Sequence, residues 1–326
     1  MNTELLTVLR GKKLQSWEQL LRASGLEPEE KPQQTVLLWD ENVLAATGSR
    51  QGNLLKYLAV APGYQGQGLL ATILTTLRQE AFREGHRHLF LYTKPQNQHL
   101  FTPLLFHPVA ATGSVLLMED QKDGIRSFLD QFPQVTTESS AIVMNCDPFT
   151  LGHQHLIETA AAASKHLYVF VLSEDKGSFS WKDRLNMVKL GTADLSNVTV
   201  LPTGPYLISS ATFPTYFLKE QDKAQTIQCQ LDVNIFAKYY APKFGITRRY
   251  VGTEPNCPIT AQYNEALKAH LPELGIELRE IPRLDQSGAP ISATTVRSAL
   301  AEKDLETLKN LVPDTTYEYL QEHNLL

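Results

Sequence analysis

The sequence predicts an α/β protein of two domains, a mixed α+β domain followed by a doubly wound, parallel α/β domain of the Rossmann-like kind. Two observations lead to this expectation. The chain has 326 residues, which suits two ordinary domains better than one. In its second part, short apolar strands alternate with helical segments, a pattern typical of a parallel sheet covered on both faces.

The first part of the chain mixes strands with one long amphipathic helix. Two short apolar runs separated by Asp-Glu-Asn predict a hairpin, and a strand, the helix and another strand follow. Gly85 is expected to end the helix. These elements are predicted at residues 36–39 and 43–46 (the hairpin), 53–60 (strand), 69–84 (helix) and 88–93 (strand).

Between residues 120 and 140 the sequence becomes polar, with "EDQKDG" and "QFPQVTTESS". Polar, poorly periodic text of this kind is typical of a linker. We therefore expect one domain over residues 1–130 and a second over residues 138–326.

The second part starts afresh with buried strands and intervening helices. The run "LYVFVL" is apolar throughout, as expected for a strand buried on both faces. Ser180 is expected to cap the helix that follows this strand. Strands are predicted at residues 141–145, 167–172, 198–202, 248–252 and 276–281, and helices at 152–165, 232–245 and 261–271.

Composition limits the classes of partner. The formal net charge is −5, from 30 Lys and Arg against 35 Asp and Glu, which argues against a broad nucleic-acid surface. No apolar stretch approaches the roughly 18 residues of a spanning helix, and no signal-peptide pattern begins the chain. Cys146, Cys229 and Cys257 follow no metal-ligand spacing. We expect a cytoplasmic protein with reduced thiols, no protein-held metal, no nucleic-acid partner and no membrane partner.

The stretch "DPFTLGH" follows the first strand of the second domain and opens a helix. A helix N-terminus carries unpaired N–H groups and partial positive charge, which suits phosphate. Gly152 allows close backbone approach, and Thr150 and His153 can donate hydrogen bonds. With Asp147 and Phe149, these residues resemble the signature Asp-Pro-x-(Thr/His)-x-Gly-His of the nucleotidylyltransferase superfamily.

A second stretch, "ISATTVRSAL", opens a helix late in the same domain. Ser292 is a natural N-cap, and Thr294 and the first-turn amides can hold phosphate oxygens. The guanidinium of Arg297 can bridge two oxygens of a leaving pyrophosphate. This stretch resembles the superfamily's second signature, Ile-Ser-x-Thr-x-x-Arg.

The superfamily resemblance also implies contacts to adenine and ribose from "GTEPNCPITAQYN", residues 252–264, with Gly252, Thr253 and Glu254 as the binding residues. Arg184 is a weaker candidate for an anion contact. The implied substrate is ATP, with Mg²⁺ held largely by its own phosphates. Thr150, His153 and Arg297 are then the expected catalytic residues.

The first domain contains a glycine loop in "VAPGYQGQGLL". Gln65, Gly66 and Gly68 resemble the pyrophosphate loop of the GNAT acetyltransferase superfamily, which binds coenzyme A at a helix N-terminus. The match is partial, because Leu70 stands where that superfamily has a small residue. A plain strand-to-helix turn is the alternative interpretation. The resemblance implies a GNAT-like acyltransferase or pantetheine-binding domain.

The combination of these motifs with further words identifies the chain as similar to the citrate lyase ligase family. Those words include "NCDPFTLGHQHLIE", "SEDKGSFSWKDR", "VGTEPNCPITAQYN" and "LVPDTTYEYL". The resemblance implies an AMP-forming acid–thiol ligase of bacterial citrate fermentation. Acetate, ATP and the thiol form of citrate lyase would give acetyl-lyase, AMP and diphosphate through an acetyl adenylate. The implied partner is the lyase's acyl carrier subunit with its coenzyme-A-like prosthetic group.

Two other functions remain open at this point. One is a nucleotidylyltransferase that joins AMP to a phosphomonoester, and the other is a nucleotide-sensing regulator without turnover. The intact set of Thr150, His153 and Arg297 favours chemistry over sensing.

Overall fold

A computed structural model of the chain describes residues 1–208, 213–218, 224–254, 258–286 and 289–326. The chain forms two compact units, one of Met1–Gly124 with Pro214–Ile227 and one of Ile125–Phe213 with Gln228–Leu326. The sequence predicts domains over residues 1–130 and 138–326, and the two units differ from these domains in two places. The second unit begins at Ile125, and the segment from Pro214 onward returns to the first unit.

Two of the expected reduced thiols, Cys146 and Cys229, are buried and free. Cys257 lies outside the described residues. Within the part of the chain that the structure describes, no helix has the length and apolar character needed to cross a bilayer.

The first unit is built on one mixed sheet. Its elements are β1 (Asn2–Leu6), α1 (Gly11–Ala23), β2 (Gln34–Asp40), β3 (Val43–Gln51), β4 (Leu54–Val60), α2 (Leu69–Arg83), β5 (Phe90–Thr93), α3 (Gln98–Phe101), β6 (His107–Ala111) and β7 (Leu116–Glu119). The strand order is β1-β2-β3-β4-β5-β7-β6, with β2–β3 as the predicted hairpin. Only the β4–β5 pair among these described strands is parallel.

The β4–β5 pair is short. The two strands pair at Leu54 with Phe90 and at Leu55 with Leu91, and the register ends there. Beyond these positions the facing strand edges keep backbone groups that do not bond to each other. This opening between parallel strands places a cavity inside the sheet of the first unit.

The second unit contains a parallel sheet with helices on both faces. Its elements are α4 (Gly124–Leu129), β8 (Ser139–Met144), α5 (Leu151–Ala162), β9 (Leu167–Val171), α6 (Trp181–Gly191), β10 (Val198–Pro202), α7 (Ala224–Ile235), α8 (Ala241–Phe244), β11 (Ile246–Gly252), α9 (Pro258–His270), β12 (Glu277–Ile281), β13 (Asp285–Gln286), β14 (Ala289–Pro290), α10 (Ala293–Glu302), α11 (Leu305–Leu311) and α12 (Asp314–Glu322). A π-helical turn joins α7 to α8. The sheet order is β10-β9-β8-β11-β12, and all four pairings are parallel.

The inner strand β9 shows why the sheet is doubly wound. Val169 and Val171 pack into a core with side chains of α5 and α6. Between them, Phe170 points to the opposite face and contacts Phe236 and Phe244 beside α7 and α8. A strand buried on both faces explains the continuous apolar run in the sequence. The doubly wound parallel domain predicted from the sequence is confirmed.

Candidate active site

A large cavity of the second unit lies where the order of strands reverses. From β8 the chain proceeds to β9 and β10 on one side of the sheet, whereas β11 and β12 lie on the other side. Ligands of open α/β sheets bind at the carboxyl ends of the strands beside such a reversal. A cavity of about 630 Å³ lies there, lined by residues of β8, β11 and the starts of α5 and α10. We call it the nucleotide cavity.

The start of α5 is held by a reciprocal pair of hydrogen bonds. Thr150 is the N-cap, and its Oγ1 accepts a hydrogen bond from the His153 amide at 3.3 Å. In return, the Thr150 amide donates to His153 Nδ1 at 3.1 Å. This capping box leaves the other first-turn amides of α5 free of intrahelical partners at the cavity wall.

The same contacts determine the tautomer of His153. A backbone N–H can only donate, so Nδ1 must accept, and the ring proton of the neutral imidazole lies on Nε2. Burial, together with the nearby guanidinium of Arg283, lowers the pKa of His153 from 6.5 to about 4. At neutral pH this side chain is therefore an uncharged hydrogen-bond donor on the wall of the nucleotide cavity.

Gly152 brings the two helix starts together. A Cβ at this position would lie 3.3 Å from the Ile291 carbonyl oxygen, which is tighter than most side-chain contacts. A glycine here lets the first turn of α5 approach the segment that leads into α10. Both helix N-termini consequently face one cavity.

At the start of α10, Ser292 caps the helix by accepting a hydrogen bond from the Thr295 amide at 3.2 Å. Arg297, one turn further on, donates to the carbonyl oxygen of Asp147 at 2.7 Å and to Thr294 Oγ1 at 3.1 Å. About a third of its side chain is exposed. Arg297 therefore ties α10 to the end of β8 while its planar fork remains at the cavity.

The Asp147 carboxylate lies outside the nucleotide cavity and holds a neighbouring loop. Its two oxygens accept hydrogen bonds from the amides of Ser178 at 2.9 Å and Phe179 at 3.0 Å. A Cβ on Gly177 would lie 2.7 Å from this carboxylate, so the loop can approach only because residue 177 is glycine. The sequence motif thus uses Asp147 to position backbone as well as to line a pocket.

Phe149 is fully buried in the core of the second unit and does not line the nucleotide cavity. Its ring lies nearly parallel to that of His153, at a centroid distance of 6.1 Å. A Cβ at position 191 of α6 would overlap the Phe149 ring, so the glycine at this position leaves room for the ring. The structure therefore places Phe149 behind the imidazole, as a packing support.

The loop after β11 contributes Gly252 and Glu254 to the cavity wall. Thr253 instead accepts two hydrogen bonds from Arg283. The Oγ1 of Thr253 accepts from the Arg283 amide at 3.2 Å, and its carbonyl oxygen accepts from Arg283 Nε at 2.7 Å. Glu254 forms an ion pair with the same arginine. Residues 255–257 of the expected loop lie outside the described residues.

Two arginines have roles that sequence reasoning missed. Arg283 lines the nucleotide cavity and anchors the loop after β11. Its position directly after the last parallel strand was the signal that could have found it, because strand ends meet at one edge. Arg184 is 1% exposed and donates to three residues of the chain instead of lining the cavity.

The glycine loop of the first unit borders a separate cavity of about 540 Å³ between β4 and β5. Gly66 and Gly68 adopt φ values of +78° and +75°, and Gly68 is the N-cap of α2. Gln65 and Leu70 line the same cavity. Tyr216 of the segment that returns to this unit completes the wall, packed against Tyr57 at a centroid distance of 4.5 Å.

Comparison with known families assigns both units. The family described as citrate lyase ligase C-terminal domain matches residues 139–320, and the acetyltransferase (GNAT) family matches residues 4–101. The chain belongs to the citrate lyase ligase family. The first unit has the GNAT fold and the second a nucleotidyltransferase-like fold, as the motifs predicted.

Curated relatives cover nearly the whole chain. The citrate (pro-3S)-lyase ligase of Klebsiella pneumoniae is 37% identical over 94% of this chain and 92% of its own length. The ligase of the same name from Escherichia coli (strain K12) is 38% identical over 97% of this chain and 92% of its own. A phosphopantetheine adenylyltransferase of Staphylococcus carnosus is 34% identical over 20% of this chain and 42% of its own length. This member of the citrate lyase ligase family is therefore an enzyme, a ligase.

The lowered pKa of His153 predicts a pH dependence of stability. As the pH falls, the unfolded chain protonates near pH 6.5, whereas the folded chain resists protonation until about pH 4. The neutral histidine thus contributes stability above pH 6.5, and this contribution is lost between those two values. His153→Gln keeps an acceptor for the Thr150 amide, as in an ordinary capping box, but does not titrate.

We expect urea unfolding to show a smaller loss of stability for His153→Gln than for the parent between about pH 7 and pH 4.5. His155→Gln, on the same helix, controls for the loss of a histidine. Equal slopes for the parent and His153→Gln would contradict a neutral His153 with a lowered pKa.

Proposed function

We propose that this chain acetylates the prosthetic-group thiol of citrate lyase, using ATP and acetate and releasing AMP and diphosphate. The observation that carries the proposal is the convergence of two helix N-termini, a neutral His153 donor and Arg297 on one cavity. Such a set suits a triphosphate and the charge that develops when diphosphate leaves. The names of the full-length relatives and the similarity to an adenylyltransferase support it.

In this proposal the triphosphate of ATP lies between the first turns of α5 and α10. Thr150, Gly152 and the Nε2–H of His153 hold its α- and β-phosphates, and Ser292 and Thr294 contribute from the other helix. Adenosine lies against the loop of Gly252, Thr253 and Glu254. Mg²⁺ arrives with ATP as part of the substrate, coordinated largely by phosphate oxygens.

The first chemical step is adenylyl transfer. A carboxylate oxygen of acetate attacks the α-phosphorus in line, the bond to the bridging oxygen breaks, and acetyl adenylate and diphosphate form. His153 and Arg297 stabilise the negative charge that grows on the phosphoryl oxygens. The chain needs no nucleophilic side chain for this step, which agrees with motifs that contain only donors and a cation.

The second step transfers the acetyl group to sulfur. The thiolate of the prosthetic group attacks the acetyl carbonyl, AMP leaves, and the thiol proton is released to solvent. The glycine loop and the cavity between β4 and β5 suit a coenzyme-A-like arm, with its phosphates at Gly66 and Gly68. We assign the grip on this arm to the first unit.

Diphosphate exchange tests the reaction class directly. Radiolabelled diphosphate should enter ATP only when acetate is present, since reversal of the first step needs the acyl adenylate. Exchange that requires a phosphomonoester instead would indicate a nucleotidylyltransferase. ATP binding without any exchange would indicate a regulator.

Removing the imidazole should impair catalysis more than folding. His153→Ala and His153→Gln both delete the Nε2–H donor, which costs on the order of 3 kcal/mol of transition-state stabilisation. Acetate-dependent exchange should fall about a hundredfold or more in both variants. The glutamine variant retains the capping box, so its rate separates donation from helix capping. A diphosphate-exchange rate within a few-fold of the parent's would indicate that His153 has only a structural role.

Arg297 offers a second test, because its fork bonds two partners at once. Arg297→Ala should lose exchange, and Arg297→Lys should recover only part of the rate, since an ammonium lacks the planar pair of donors. Arg279→Lys, an exposed substitution on β12, is the matched control. Full activity of Arg297→Lys would exclude bidentate contact with diphosphate.

The division of labour between the two units is tested at the glycine loop. Gly66→Leu with Gly68→Leu projects side chains into the space where backbone is proposed to meet phosphate. This double variant should retain acetate-dependent exchange but fail to acetylate the lyase thiol. Gly85→Leu imposes similar backbone strain at the far end of α2, at φ +86°, and should retain both activities.

The reverse variant completes that experiment. Thr150→Ala with His153→Ala should lose both activities yet accept acetyl adenylate supplied from outside. A folded glycine-loop variant that acetylates the lyase at the parent rate would overturn the role given to the first unit. The thiolate would then attack the acetyl adenylate without the first unit holding the prosthetic group.

A further inference from the structure

The cavity between β4 and β5 has one wall that the acetyltransferase family does not account for. Tyr216 and Phe217 line this cavity, whereas the family match ends at residue 101. Both side chains come from the segment that returns to the first unit, and we call its residues 214–218 the return segment. Tyr216 is 5% exposed, and Phe217 is buried as well. The chain thus adds two buried aromatic side chains to a cavity that the rest of the first unit already forms.

Hydrogen bonds hold the return segment against the stretch that follows α1. The Tyr216 carbonyl oxygen accepts from the Glu27 amide at 2.8 Å, and Thr215 Oγ1 donates to a carboxylate oxygen of Glu29 at 2.6 Å. The Tyr216 ring also packs against the ring of Tyr57 on β4. Backbone, side-chain and ring contacts therefore fix the position of Tyr216 in the cavity wall.

Tyr216 lies at the end of the cavity away from the glycine loop. The β4–β5 pairing ends at Leu55, and Tyr57 is the second residue beyond it, whereas the glycine loop follows the carboxyl end of β4. The stretch from Tyr57 to Val60 spans about 10 Å at the usual rise of a strand, and the glycine loop lies beyond it. An arm whose phosphates lie at the glycine loop therefore has its sulfur end near Tyr216.

Backbone strain marks this end of the cavity. Tyr57 is fully buried and has a φ of +55°, in the left-handed region that a bulky residue rarely adopts. The register of the β3–β4 pair shifts at the same place, between Thr47 and Ser49, as at a β-bulge. Strained backbone of this kind is concentrated at functional sites. The residue that carries the strain is the one against which Tyr216 packs.

The Tyr216 hydroxyl is left as a hydrogen-bond donor. The backbone amide of Tyr57 donates towards the phenolic oxygen, and an N–H group can only donate. The oxygen is thus engaged as an acceptor, and within the described part of the chain the hydroxyl donates to no acceptor. Burial raises the pKa of Tyr216, so the phenol stays protonated at neutral pH. The cavity wall therefore presents a neutral O–H donor.

The surroundings of this donor are apolar. Leu26 precedes the residue whose amide bonds the Tyr216 carbonyl, and Leu58 follows Tyr57. Both leucines line the cavity together with Phe217. A small apolar group fits against these side chains, and a polar group here needs the O–H donor as its partner.

Charge at this end of the cavity is already balanced. The basic side chains of the described lining, Lys94 and His99, follow the carboxyl end of β5, on the same edge as the glycine loop. Lys56 lies over the Tyr216 ring, but its ammonium forms an ion pair with Glu30. A buried thiolate would lack a counter-ion here, whereas a neutral acceptor needs none.

We infer that Tyr216 recognises the acetylated end of the prosthetic-group arm, its hydroxyl donating to the thioester carbonyl oxygen while the acetyl methyl packs against Phe217 and Leu26. This inference rests on the proposed function and deepens it. A carbonyl oxygen is a good acceptor, whereas a thiol sulfur is a weak one. The first unit therefore distinguishes the acetylated arm from the free thiol, and Tyr216 sets that preference.

Soluble analogues of the arm test the inference on the whole protein. Dephospho-coenzyme A carries the thiol, its S-acetyl derivative carries the thioester, and its S-ethyl derivative has nearly the same size without a carbonyl. Calorimetry should show that the parent binds the S-acetyl compound about fivefold more tightly than either of the others. Tyr216→Phe keeps the ring and removes the donor, so the S-acetyl compound should bind this variant no more tightly than the S-ethyl compound does.

Tyr64→Phe is the matched control. Tyr64 lines the same cavity, but its hydroxyl donates to Asp40 at 3.0 Å, so its removal should leave the ratio of the S-acetyl and S-ethyl affinities unchanged. Acetate-dependent diphosphate exchange is assigned to the second unit and should proceed at the parent rate in Tyr216→Phe. A parent-like melting temperature shows that each variant is folded.

The parent alone decides the question if Tyr216→Phe does not fold. Equal binding of the S-acetyl and S-ethyl compounds by the parent overturns the inference, as does a preference that persists in folded Tyr216→Phe. A parent that binds none of the three compounds overturns the role given to the first unit, and this inference with it. Absence of acetate-dependent exchange overturns the proposed function instead, and the ratio of affinities still decides the role of Tyr216.

Discussion

The reciprocal hydrogen bonds between Thr150 and His153 are the contact on which the rest of the site depends. One contact caps α5, so the remaining first-turn amides stay available to phosphate. The other occupies Nδ1 and thereby places the imidazole proton on Nε2. Burial keeps this ring neutral, so the donor does not change charge across the physiological range. A single local motif therefore caps the helix and sets the tautomer of the imidazole, and burial sets its protonation state.

Around this contact, several charged side chains hold the backbone of neighbouring loops. Asp147 accepts the amides of Ser178 and Phe179, and Arg184 holds the same loop through carbonyl oxygens. Arg283 does the same for the loop after β11. Loops at strand ends carry few backbone partners of their own, and these side chains supply them. The proposed adenylyl transfer uses the resulting rigidity, because it relies on positioning and electrostatics.

The first unit contributes a different kind of order. Its sheet opens where β4 and β5 cease to pair, and the glycine loop lies at the border of that opening. The return segment adds Tyr216, whose carbonyl accepts the Glu27 amide at 2.8 Å. A segment that lies between two parts of the second unit in the sequence thus lines the cavity of the first unit. The proposed grip on a pantetheine-like arm would depend on residues from both parts of the sequence.

Local sequence was sufficient for the elements and the two motifs. The alternation of apolar strands and helices predicted the doubly wound domain, and the β2–β3 hairpin lies where Asp-Glu-Asn separates two apolar runs. The caps at Ser180 and Ser292 were predicted correctly, because capping involves residues three apart in the chain. Family resemblance added the ligase assignment, which composition and periodicity alone did not contain.

Only the tertiary structure decided which distant residues meet. Arg283 follows β12, and its approach to His153 depends on the order β8-β11-β12 in the sheet, which is not encoded in the pattern of any one strand. The sequence offered Arg184 as a weaker candidate for an anion contact, yet packing buries its side chain and its guanidinium donates to Asn145. The return of Pro214 and its neighbours to the first unit left no composition shift. Sequence thus determined what depends on neighbours a few residues apart, and packing across the sheet decided the rest, because those contacts join residues that no local periodicity relates.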